Sequence, residues 1–188
     1  MKKNLARKSH LEKRANLAKE QFNDCEKQTI LNCIELIKKL KPKVVHCYLP
    51  ISNKLEINTE LIFNFCWENN IKTVVPISDF ENNTMISVLY NNETELEINY
   101  YKIPEPKNPV IVMNKEIDFI VTPLLAFDKF GQRVGFGKGF YDRFFIQCKS
   151  NVKKVGISLF EPIDKIENLN QYDIPLDHAI SPNNTFNF

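Results

Sequence analysis

The chain has 188 residues, 43% of them hydrophobic and 26% charged, which is enough apolar material for one compact core and too little length for two ordinary domains. Lys and Arg number 25 against 23 Asp and Glu, a formal charge of +2, so bulk charge points neither to a nucleic-acid scaffold nor to an acidic tail protein. No apolar run approaches the roughly 20 residues that span a bilayer, and the amino terminus shows no secretory pattern. The expectation is one cytoplasmic domain, residues 1–188, monomeric and without membrane or nucleic-acid partners.

Leucines at 5, 11 and 17 predict a helix in the first twenty residues, where seven basic side chains stand against two glutamates. A second helix is predicted over residues 25–40, because Ile30, Cys33, Ile34, Ile37 and Leu40 recur at helical spacing and Pro42 blocks continuation. Residues 44–49 read as a buried strand, 59–68 as a helix begun by Asn58 or Thr59, and 73–77 as another strand. Residues 85–90 and 95–99 read as short strands in a hairpin around Asn91-Asn92. The three prolines between 101 and 109 predict an extended loop. The continuous apolar run 117–122 fits a central parallel strand covered on both faces. A helix over 140–147, a strand over 154–159 and a polar tail follow. This alternation predicts an open, mostly parallel α/β sheet with helices on both faces, Rossmann-like in architecture.

Cys25, Cys33, Cys47, Cys66 and Cys148 are odd in number and widely spaced, with no C-x-x-C pair. They read as small buried hydrophobes in a reducing compartment. His10, His46 and His178 are isolated, with no serine or cysteine nucleophile motif beside them.

The chemistry concentrates elsewhere. Four of the five glycines, Gly131, Gly135, Gly137 and Gly139, lie within nine residues between the strand at 117–122 and the helix at 140–147. Glycine permits positive φ and close approach of backbone N–H groups to an anion, and the following helix terminus adds a favourable field. Arg133 and Lys138 stand beside the glycines as phosphate-facing cations, and Asp142 as a Mg²⁺ ligand. Open α/β sheets bind ligands at the carboxyl ends of their central strands, so a nucleoside triphosphate is indicated. The alternative is a glycine-rich turn that only reverses the chain.

The segment is not a Walker A loop, since Gln132 stands where the first glycine belongs and Gly139 where Ser or Thr belongs. Nor is it the dinucleotide fingerprint, because the last glycine comes one residue early. An RNA-recognition strand would accept Lys138-Gly139-Phe140, but Tyr141-Asp142 puts a bulky ring and a negative charge where phosphates would pass. A non-catalytic nucleotide- or RNA-binding module is the competing class.

Phe119-Ile120-Val121-Thr122-Pro123-Leu124-Leu125-Ala126-Phe127-Asp128, followed by Gly131-Gln132-Arg133-Val134-Gly135-Phe136-Gly137-Lys138-Gly139-Phe140-Tyr141-Asp142-Arg143, resembles the signature of the 5-formyltetrahydrofolate cyclo-ligase (methenyltetrahydrofolate synthetase) family. Tyr48-Leu49-Pro50 with Glu56-Ile57-Asn58-Thr59, Ile103-Pro104-Glu105-Pro106 and Tyr172-Asp173-Ile174-Pro175-Leu176-Asp177 are similar to its other segments in order and spacing. Lys3 and Arg7 keep the separation of its amino-terminal Lys-x-x-Leu-Arg, with Leu5 displaced, and Phe140 stands for the first of two tyrosines.

The resemblance implies a NagB/RpiA/CoA-transferase-like fold and ATP- and Mg²⁺-dependent cyclisation of 5-formyltetrahydrofolate to 5,10-methenyltetrahydrofolate. It implies ATP contacts from Lys3, Arg7, Arg133, Val134, Gly135, Phe136, Gly137, Lys138, Gly139, Phe140 and Tyr141, with Lys138, Arg133 and Tyr141 catalytic. Folate contacts fall on Pro50, Ile51, Glu56 and Tyr101. Mg²⁺ ligation falls on Asp142 and on a tail carboxylate, Asp173 or Asp177.

Overall fold

The computed structural model describes residues 1–51 and 54–188. Two helices open the chain, α1 (Lys3–Ala15) and α2 (Lys19–Leu40), the second starting six residues earlier than its apolar spacing predicts. Then come β1 (Val44–His46), α3 (Glu60–Glu68), β2 (Lys72–Asp79) and β3 (Thr84–Leu89), followed by the short strands β4 (Leu96–Ile98), β5 (Pro104–Pro106) and β6 (Ile111–Val112). The second half holds β7 (Phe119–Pro123), β8 (Ala126–Phe127), β9 (Arg133–Val134), α4 (Phe140–Gln147), β10 (Lys153–Ile157), β11 (His178–Ile180) and β12 (Thr185–Asn187). No described helix is long and apolar enough to cross a membrane.

Eight strands form one sheet in the order β12-β11-β10-β7-β1-β2-β3-β6. The five from β11 to β2 are parallel, and β12, β3 and β6 each run antiparallel to the strand before them in that order or beside them at the edge. β7 lies at the centre with Phe119, Ile120 and Val121 fully buried, as its unbroken apolar run requires. On one face α2 and α3 pack Ile30, Cys33, Ile62 and Phe63 against Val45, Val75 and Val121. On the other, α4 packs Phe144 and Phe145 against Val44, Val74 and Ile120. α1 stands apart, with Ala6 against Ala126, Val134 and Ile166.

Four expectations need correction. The strand predicted over 44–49 ends at His46, because the chain turns away there: the Thr59 hydroxyl donates to the Tyr48 carbonyl at 2.8 Å and Tyr48 Oη to the Ile57 carbonyl at 3.1 Å. With the Thr59 hydroxyl so engaged, it is Asn58 Oδ1 that accepts the Glu60 N–H at the start of α3, at 3.0 Å.

The hairpin predicted around Asn91-Asn92 does not form. β6 pairs with the outer edge of β3, so β4 leaves the sheet and pairs with β5, inside the segment read as a plain loop. The polar tail supplies two sheet strands, β11 beside β10 and β12 on the edge.

Phe144 is fully buried beneath the sheet, so Phe144→Ala should cost about 3–5 kcal/mol. Urea denaturation monitored by circular dichroism measures this, and a cost below 1 kcal/mol would show that α4 is not anchored through this ring.

Candidate active site

A pocket of about 1000 Å³ opens over the α4 face of the sheet, at the carboxyl ends of β1, β2 and β7. It draws Lys3 and Arg7 from α1, Tyr48, Ile51 and Glu56 from the segment after β1, Tyr101 from the β4–β5 flap, and Asp173 from the tail. Residues 132–143 complete it. Among the described lining residues six are Lys or Arg and three are Asp or Glu, a balance that favours an anionic ligand. Pro50 is not among them, and neither is Asp177, whose carboxylate is bound to the backbone N–H and the ammonium of Lys154 at 2.8 and 2.9 Å. Of the two tail carboxylates, Asp173 is the one at the pocket.

The glycine segment begins as the small β8–β9 hairpin, continues through residues 135–139 and enters α4. Gly137 and Gly139 adopt φ of +95° and +70°, a region where a side chain is strained. A Cβ at Gly137 would lie 2.9 Å from Arg7 Nη2. Arg7 Nε also donates to the Gly135 carbonyl at 2.8 Å, so α1 lays a guanidinium directly on the loop. Lys138 is exposed, and its ammonium sits 4.9 Å above the Phe80 ring. Phe80 in turn contacts Tyr101 at 4.1 Å and Phe140 at 5.3 Å between ring centroids.

Arg133 is held more firmly. Its Nη2 bonds Asp142 Oδ1 at 2.8 Å, Nη1 donates to the Ile174 carbonyl, and the guanidinium covers the Phe145 ring at 4.8 Å. Burial pushes its pKa down and the Asp142 carboxylate counters this; a guanidinium stays charged regardless. Asp142 Oδ1 also accepts the Ile174 N–H at 3.1 Å. Asp173 Oδ2 pairs with the Lys3 ammonium and accepts the Asn170 N–H at 2.6 Å. Both carboxylates read as metal ligands are therefore ion-paired, each through one oxygen.

Glu56 is not the helix-start carboxylate its position suggests, since α3 begins four residues later. Its Oε2 accepts the Ile51 N–H at 2.8 Å, and burial pushes its pKa up.

The Tyr141 hydroxyl is buried without a partner among the described residues, and burial raises its pKa well above the ordinary value. Its ring stands edge-on to His46, 6.1 Å away. Sequence reasoning missed Phe80, in the turn between β2 and β3, and Arg14 and His46, which lie in elements whose pattern concerns something else, as parts of this site or its supports.

An open α/β sheet with a cation-rich glycine loop at the carboxyl ends of its central strands defines an ATP-using enzyme. The model of the 5-formyltetrahydrofolate cyclo-ligase family matches residues 1–182. The 5-formyltetrahydrofolate cyclo-ligase of Haemophilus influenzae is 31% identical over 87% of this chain and 88% of its own. That of Mycoplasma pneumoniae is 30% identical over 96% and 99%. A solved 5,10-methenyltetrahydrofolate synthetase from Mycoplasma pneumoniae superposes with a TM-score of 0.77 at 26% identity, covering 97% of this chain and 99% of the other. The synthetase of Aquifex aeolicus gives 0.77 at 29%, covering 100% and 93%. The chain belongs to the 5-formyltetrahydrofolate cyclo-ligase family, whose reaction is an ATP-dependent cyclisation.

His46, under Tyr141, has neither ring nitrogen paired among the described residues, and burial pushes its pKa down to about 3. Because the folded value lies below the unfolded one, this histidine's contribution is intact above about pH 6.5 and is lost as pH falls from there toward 3. Urea melts between pH 7 and pH 4 should show stability declining less steeply in His46→Leu than in wild type. Equal slopes would show that His46 is protonated in the folded protein.

Proposed function

We propose that the whole chain, residues 1–188, acts as one catalytic domain that turns 5-formyltetrahydrofolate and ATP into 5,10-methenyltetrahydrofolate, ADP and phosphate. The observation that carries the assignment of roles is the convergence of Glu56 and Tyr101 with Arg7, Lys138 and the glycine loop on one pocket. The formyl oxygen attacks the γ-phosphorus, its new O–P bond replacing the bond to ADP. The other folate nitrogen then attacks the activated carbon, loses its proton to solvent, and the C–O bond breaks to release phosphate. This sequence needs alignment and charge stabilisation rather than a protein nucleophile.

In this reading Glu56 holds the polar edge of the folate, Ile51 and Tyr101 flank its ring, and Pro50 shapes the entering segment. Backbone N–H groups of residues 134–141, with Lys3 and Arg7, cradle the triphosphate. Lys138 follows the transferring phosphoryl group as a mobile cation. Arg133 fixes the loop ends and adds charge behind it, and Tyr141 packs beneath it.

The described residues hold no cluster of three or more His, Cys, Asp or Glu side chains able to bind a metal by themselves. Asp142 and Asp173 each keep one oxygen outside the bonds given above, which suits Mg²⁺, a cation that takes one or two carboxylates beside nucleotide phosphates. These two aspartates would hold it, and it would neutralise charge on the phosphoryl oxygens. Five free cysteines suit a reducing cytoplasm, and the reading needs neither a second chain nor nucleic acid.

Purified protein given 5-formyltetrahydrofolate and Mg·ATP should develop the near-ultraviolet absorbance of the methenyl product; nucleotide or RNA binding without that absorbance would favour the non-catalytic module. Lys138→Ala should lower turnover by about 100- to 1000-fold with the fold intact, and a near wild-type rate at saturating ATP would remove its role. Asp142→Asn should lower activity and raise the Mg²⁺ concentration for half-maximal rate. An unchanged Mg²⁺ requirement would leave Asp142 only its ion pair with Arg133.

A further inference from the structure

Arg14, in the last turn of α1, is a charged side chain only 4% exposed. Such burial is costly unless the donors are met and the charge is balanced. Nη2 donates to the Leu124 carbonyl at 2.9 Å and Nη1 to the Lys54 carbonyl at 3.4 Å, while Nε has no partner among the described residues. One guanidinium thus ties the segment after β1, where Glu56 lies, to the chain leaving the carboxyl end of β7.

Two carbonyl dipoles do not balance a full charge, and no described carboxylate lies within ion-pair distance. The acid that faces Arg14 is Glu56, across a void of about 10 Å³ also lined by Tyr48, Leu124 and Phe136. That volume is at the lower edge of what a single water needs. On its other side Glu56 borders the large pocket, fixed by its one bond from the Ile51 N–H. The charged and titratable groups around the carboxylate are Lys54 from its own segment, Arg14 from α1, Tyr48 beyond β1 and Tyr141 from α4. Both cations favour the ionised carboxylate, Lys54 more than Arg14, but Lys54 is exposed and open to screening by solvent while Arg14 is buried and largely escapes it.

We propose that Arg14 is a positioning residue for the folate half of the site, clamping the Glu56 segment to the end of β7 and keeping the Glu56 carboxylate charged and turned into the pocket. The inference rests on the reading of Glu56 as the folate-holding carboxylate. Arg14 itself touches no substrate. Its effect is confined to one substrate, because Glu56 lies on the folate side while Arg7, about two turns back on the same face of α1, serves the glycine loop.

The test is the pH profile of kcat/KM for 5-formyltetrahydrofolate at saturating Mg·ATP. Glu56→Gln should raise KM for the folate and remove the acid limb of the profile; if neither changes, the reading of Glu56 fails. Given that limb, removing the Arg14 charge must make Glu56 harder to ionise, so activity is lost at higher pH as acid is added. Arg14→Gln should move the acid limb up by about one pH unit and raise KM for the folate about tenfold, with KM for ATP within about twofold of wild type. In a Glu56→Gln background the same change should add nothing to the folate KM.

Should Arg14→Gln fail to fold, Arg14→citrulline, introduced by ligation at Cys25, removes the charge while keeping the length and most of the donors, and carries the same expectation. An acid limb that stays in place in the folded variant overturns the proposal. So does a KM effect that persists undiminished in the Glu56→Gln background, which would make Arg14 a fastener of the backbone alone.

Discussion

The ion pair between Arg133 and Asp142 is the constraint on which the site depends. It joins the end of the β8–β9 hairpin to the first turn of α4, and through the Ile174 carbonyl and N–H it joins both to the tail. With the two side chains 9% and 22% exposed, the pair is dry enough that removing either partner leaves a poorly solvated charge, a loss on the order of 3–5 kcal/mol in comparable buried pairs. The loop between those fixed ends is of the opposite character. Residues 136–138 are exposed, and two positive-φ glycines supply its turns. A rigid frame around a pliable centre lets backbone N–H groups and Lys138 adjust to a phosphate without disturbing the core.

That frame also sorts the charges. Asp173 is neutralised by Lys3 and Asp142 by Arg133, which leaves Arg7, Lys54, Lys138 and Arg143 as the pocket cations with no described carboxylate partner, Arg7 and Lys138 being the two at the glycine loop. The Lys138 ammonium instead rests on the face of Phe80, a contact worth roughly 0.5–1 kcal/mol where exposed. So weak a hold is readily given up to a phosphoryl oxygen. Tyr101 stacks on the same Phe80. The β4–β5 flap and the Lys138 ammonium, proposed above to serve the folate and the phosphoryl group, thus share one aromatic support.

The parts of this arrangement visible in the sequence are those written in local pattern. The apolar run at 117–122, the helical spacing in α2 and the glycine cluster each state their role within a dozen residues, because burial on both faces, amphipathicity and positive φ are local demands. What the sequence concealed was set by competition between distant segments. β4 abandoned β3 because β6 occupies that edge, and no property of residues 95–99 announces this. Short strands β11 and β12 look like polar tail because only Ala179 and Ile180 of β11 are buried and β12 lies at the edge. Arg133 read as a phosphate-facing cation by its neighbours in sequence, yet its charge is paired with Asp142 and two of its five N–H donors are held by Asp142 and the Ile174 carbonyl. Arg14 lay among seven basic residues that look alike on paper, and only its 4% exposure sets it apart.

The size and lining of the pocket bear on how the phosphoryl group travels. About 1000 Å³ stands at the upper end of what one small ligand fills, so there is room for a folate and a nucleotide together. Of the side chains that could carry a phosphoryl or acyl group covalently, the cysteines and histidines lie elsewhere, and the carboxylates at the pocket, Glu56, Asp142 and Asp173, are each already engaged by a backbone N–H or a cation. No cysteine or histidine is among the described lining residues. Burial pushes the Cys33 thiol well above its ordinary value and the Cys66 thiol up to about 12, and His46 is sealed under the sheet face with no exposure. A cysteinyl or histidyl intermediate would need a nucleophile brought out of the core, and a carboxyl phosphate would need one of the pocket carboxylates released from its bonds. Transfer straight from nucleotide to formyl oxygen needs only that both ligands lie in line over the glycine loop, and a single undivided pocket with a shared aromatic wall favours that route.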